Sequence, residues 1–149
     1  MKRILLWLAI LTVISPVVWA ATRMQHEGED LLHVAHLRGV VVDSFGKPVA
    51  GAPVQLERGR KAVAETQTDA AGAFNFERLD GEYTLRIKPA NYSTATRDVV
   101  VGEAATIVMR HNKLYVIVGP RACDDECSSV FTSEREFEKT LSRKSGHTN

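Results

Sequence analysis

The sequence predicts an all-β module, and three observations carry that prediction. Short runs in which apolar and polar residues alternate recur from Leu37 to Met109. Clusters of turn residues separate them: Ser44-Phe45-Gly46-Lys47-Pro48, Asp69-Ala70-Ala71-Gly72, Asp80-Gly81 and Gly102-Glu103. The runs are short and evenly spaced, which is the pattern of a sandwich or barrel with one buried face per sheet.

The 149 residues suit one domain of ordinary size. A formal charge of +1 lacks the basic footprint that nucleic-acid binding needs. Residues 1–20 read as a secretory signal peptide of bacterial form. Lys2 and Arg3 give a positive start, Ile4 to Val18 an apolar core, and Val18-Trp19-Ala20 a small-residue cleavage site after Ala20. The mature chain is therefore expected in the periplasm or outside the cell, with no membrane span. Residues 21–36 are polar and read as a flexible leader, with a helical turn near Leu31-Leu32.

Strand one is placed at Leu37 to Val42 and strand two at Ala52 to Arg58, where Ala52, Val54 and Leu56 share a face. Lys61 to Thr68 has a weaker pattern and is expected at a sheet edge. Strand four puts Phe74 and Phe76 on one face. Asp80-Gly81 reads as a two-residue type I′ hairpin leading into strand five, where Tyr83, Leu85 and Ile87 alternate with Thr84, Arg86 and Lys88. Tyr92 to Val101 and Ala104 to Met109 give strands six and seven, and Leu114 to Val118 an eighth strand or a continuation. The expected core contains Val41, Val54, Phe74, Phe76 and Leu85. Ser133 with Glu136 then fits a capping box opening a short helix that carries Phe137 and Leu141.

These residues carry a family resemblance. Gly39 to Leu56 resembles the G-x-V-x-D-x-x-G-x-P opening of carboxypeptidase regulatory-like domains. Thr68-Asp69, Gly72, Phe74, Phe76, Leu79, Gly81, Tyr83 and Leu85 are similar to that family's second block. The resemblance covers Leu37 to Met109. It implies a seven-stranded antiparallel Greek-key β-sandwich of prealbumin-like, carbohydrate-binding-like type, here with a short C-terminal helical extension. It implies no catalytic or ligand residue, because the matched positions set turns and core packing. The expected organisation is thus signal peptide 1–20, leader 21–36, sandwich 37–118 and a Cys-containing extension 119–149.

No G-x-S-x-G occurs, and no nucleophile, base and orienting acid stand at a recognisable spacing. The last residues, Ser145-Gly146-His147-Thr148-Asn149, differ from the Tyr-Arg-Gly-Ser-type ending of transthyretin-like hydroxyisourate hydrolases. On these readings the chain is expected not to be an enzyme and to need no cofactor, with an enzyme of unrecognised type ranked last. Cys123 and Cys127 are expected to form a disulfide in an oxidising compartment, displaying Asp124, Asp125 and Glu126 on its rim. A metal thiolate site with His33 and His36, or a redox pair, stands as the alternative, and with it a small metal-binding or redox protein. Tyr83 reads as core. Phe45, Tyr92, Asp124, Asp125 and Glu126 are the candidate loop contacts with a polypeptide or glycan of the cell envelope, because a rigid sandwich leaves recognition to its loops.

Overall fold

The computed structural model describes residues 31–102, 112–123 and 127–145. The signal-peptide reading and the strand expected at Ala104 to Met109 lie outside the described residues.

Two sheets face each other across one core. The first contains β1 (Leu32–Val34), β7 (Ala95–Val101), β6 (Gly81–Ile87), β3 (Pro53–Arg58) and β4 (Lys61–Gln67), in that order. The second contains β5 (Ala73–Asn75), β2 (Arg38–Asp43), β8 (Leu114–Val118) and β9 (Ser129–Phe131). Alternation supplies the core: Val54, Leu56, Leu85, Ile87, Val99 and Val101 come from the first sheet. Val41, Phe74, Leu114, Val116 and Val118 meet them from the second.

Several expectations are corrected. The described residues hold nine strands in mixed sheets, not seven in an antiparallel arrangement. β1 runs parallel to β7, with Leu32 opposite Val99, and β2 runs parallel to β8, with Val41 opposite Val116. The leader is not wholly flexible: Val34 is fully buried, and that apolar contact holds Leu32–Val34 on the sheet. Asp80-Gly81 is not a hairpin, because β5 and β6 belong to different sheets and only Gly81 of the two has positive φ. The turn with positive φ at both central residues is Gly59-Arg60, at 57° and 68°, joining β3 to β4. Phe74 is buried as expected, whereas Phe76 is half-buried beside it with the rings edge to face.

β4 lies at a sheet edge, as its weak alternation predicts, and a register shift between Leu56 and Glu57 irregularises its pairing. The C-terminal extension adds β9 to the second sheet and then the helix α1 (Glu134–Ser145). Phe137 stacks near Tyr115 and Phe131 with ring centroids 5.1 and 6.3 Å away. The helix thereby covers the outer face of the second sheet, where Ile117 is fully buried. Glu134 and Glu136 in its first turn and Arg143 and Lys144 in its last complement the helix dipole.

Candidate recognition loops

Strand register fixes which loops share an end of the sandwich. Asp43 pairs with Val118, and Val54 with Ile87, which pairs in turn with Ala95. The segments 44–52, 88–94, 119–123 and 127–128 therefore emerge together, and the candidates Phe45, Tyr92 and the Cys123–Cys127 pair stand at this one end.

The loop that carries Phe45 is built from below. Asp43 ends β2 and is only 8% exposed. Its Oδ1 accepts the N–H groups of Phe45 and Lys47, both at 2.9 Å. Its own N–H donates to the Lys47 carbonyl at 2.9 Å, and the Gly46 N–H donates to the Asp43 carbonyl at 3.0 Å. A short acidic side chain bonding the backbone ahead of it is the usual way such a turn is closed. The second half of the loop is held by buried Thr68, whose Oγ1 accepts from the Ala52 N–H at 2.8 Å and donates to the Val49 carbonyl at 2.7 Å. Phe45 at the tip is 70% exposed on this fixed frame.

Tyr92 is placed differently. It forms a bridge with Pro120 and packs against the core while remaining partly accessible. Beside it Ser93 Oγ and Ser128 Oγ share a hydrogen bond of 2.7 Å. Cys123 and Cys127 form a disulfide. The Cys127 carbonyl accepts from Lys144 Nζ at 3.0 Å, so the helix end is tied to the bridge. Asp124, Asp125 and Glu126 lie outside the described residues.

The histidines do not join the cysteines. His33 lies on β1 opposite Val100, and His36 follows β1 at the Val101 end, the opposite end of the sandwich from the bridge. Among the described residues no group of three or more His, Cys, Asp or Glu side chains is placed to hold a metal. Sequence reasoning passed over a cleft at that far end, lined by His36, Phe76, Arg78 and Leu79. No motif marks it, since its walls come from segments far apart in the chain.

A family model for the carboxypeptidase regulatory-like domain matches residues 36–111. No curated protein sequence matches the chain. Among solved structures, the Klebsiella pneumoniae 5-hydroxyisourate hydrolase is similar at 22% identity and a TM-score of 0.48, over 68% of this chain and 100% of that one. The expectation that the chain is not an enzyme is corrected by this neighbour, which is named for a hydrolase. Catalysis depends on side chains set on a fold rather than on the fold, and a sandwich does not exclude it.

Proposed function

Since the chain belongs to the carboxypeptidase regulatory-like domain family, we propose that it is an exported recognition module that binds a polypeptide of the cell envelope through the loop carrying Phe45. The observation that carries this reading is the pairing of a caged backbone with an exposed aromatic tip. A ring held out in water by a buried carboxylate loses little freedom on binding, and pre-organised aromatic anchors dominate the affinity of protein interfaces. A polypeptide is favoured over a glycan because Phe45 carries no polar handle of its own, whereas sugar platforms need hydrogen-bonding groups beside the ring. The disulfide, with no helix among the described residues long and apolar enough to cross a membrane, fits an extracellular or periplasmic location.

The experiment places a photo-crosslinking phenylalanine analogue at position 45 in living cells, with the same analogue at exposed Val63 on β4 as control. A discrete protein adduct at position 45, lost when excess unlabelled protein competes and absent at position 63, is the expected result. Adducts of equal pattern at both positions, or none at position 45, overturn the reading.

A further inference from the structure

We infer that the cleft at the Gly102 end of the sandwich binds a small amphipathic carboxylate, with a compact apolar body and one anionic group. The cleft holds about 420 Å³, within the range of small-ligand pockets. Its floor is Leu37 and Val101, both fully buried, and its walls are the half-buried Phe76 and Leu79. The polar groups stand at the rim: His36, Arg78 and Asp80. An apolar interior with few polar groups at its mouth suits a ligand of the same polarity pattern.

Two observations make Arg78 the anion-binding group. The first is its backbone, at φ 56°. Positive φ at Arg60 completes the Gly59-Arg60 hairpin, but Arg78 lies in a crossing between sheets that no two-residue turn dictates. Strained non-glycine positions persist where the surroundings over-determine them, and they gather at binding sites. Here the conformation sets a long cation at the mouth of the cleft. The second is charge: among the described residues no carboxylate forms a salt bridge with Arg78. Asp80, the acid on the rim, has an interaction of its own, and its backbone carbonyl accepts from Tyr83 Oη and Arg58. A guanidinium takes a carboxylate through two parallel N–H donors, which a neutral amide cannot match.

The site lies at the opposite end from Phe45, and its test is independent of the recognition loop. Hexanoate and its neutral analogue hexanamide are titrated into isotope-labelled protein, following backbone amide shifts. The expected result is saturable shifts at His36, Leu37, Arg78 and Gly102, with hexanoate the tighter ligand. Arg78→Gln should weaken hexanoate by about tenfold and leave hexanamide unchanged. Leu79→Trp, which fills the cleft, should abolish both while the spectrum stays folded. Phe45→Ser should change neither. No saturable shift at millimolar hexanoate, equal affinity for acid and amide, or shifts centred away from these residues overturns the inference. Should Leu79→Trp fail to fold, the acid–amide comparison in Arg78→Gln decides alone.

Discussion

Leu141 of the helix stands over Gly46 of the Phe45 loop: a Cβ added to Gly46 would meet Leu141 Cδ2 at 3.0 Å. The C-terminal extension is thus part of the frame that displays Phe45. The same comparison ranks the loop glycines. Gly46→Ala and Gly51→Ala should each cost about 1–2 kcal/mol from left-handed strain. Around Gly51 there is open space, and at Gly46 only a flexible side chain must yield. Gly72→Ala should cost clearly more, because its Cβ would run into the Val41 carbonyl oxygen, which is backbone. Urea unfolding of the three variants checks the order; equal losses would contradict it.

The Asp43 cage makes a second prediction. Asp43→Ala removes the acceptor for two loop N–H groups and should cost about 2–3 kcal/mol. Asp43→Asn retains an acceptor oxygen and should cost less. Amide exchange at Phe45 and Lys47 should quicken in the alanine variant ahead of global unfolding, and unchanged protection there would mean the carboxylate does not hold the loop.

Phe74 and Phe76 differ in burial, and their truncations should differ too. Phe74 is 4% exposed, so Phe74→Ala should cost about 3–5 kcal/mol. Phe76→Ala should cost less, because the half-buried ring already meets solvent at the cleft. A larger loss at Phe76 would show that the cleft is closed.

The disulfide closes a loop with a sequence separation of 4. On the chain-entropy account its contribution should fall below the roughly 3 kcal/mol of a fifteen-residue loop. Replacing both cysteines by serine should leave the sandwich folded and chiefly loosen residues near the Lys144–Cys127 contact. Mass spectrometry of the native protein should find it resistant to alkylation until reduced. Global unfolding of the double variant would assign the bridge a larger role.

Tyr115 links stability to alkaline pH. Burial raises its pKa above 10.0, and the nearby Glu134 charge, a hydrogen bond to Glu134 and the Glu138 charge act in the same direction. The unfolded tyrosine loses its proton first, so the unfolded state binds fewer protons and stability falls as pH rises through that window. Below the ordinary tyrosine pKa the contribution is constant. Ultraviolet titration should show a phenol that ionises later in the folded protein than in the urea-unfolded chain, and Tyr115→Phe should abolish both that late phase and its share of the alkaline loss.

The sequence by itself determined the strands whose pattern is local. Val54, Leu56, Leu85 and Ile87 lie inward because side chains alternate along a strand whatever its partner. Phe45 was legible for a similar reason: Asp43 and Gly46 mark a turn, and an apolar residue between them has no wall to bury against. Tertiary structure decided what depends on partners distant in the chain. Asp80-Gly81 has the composition of a hairpin, yet the segments on either side join different sheets, and composition does not encode that choice. Leu32–Val34 became a strand because β7 offered a free edge and Val34 a buried place, neither visible in a polar leader. The cleft beside Arg78 arises where residues around 36, 78 and 101 converge. Only folding brings those segments together, because burial of apolar surface is not directional and leaves no local signature of which segments will meet.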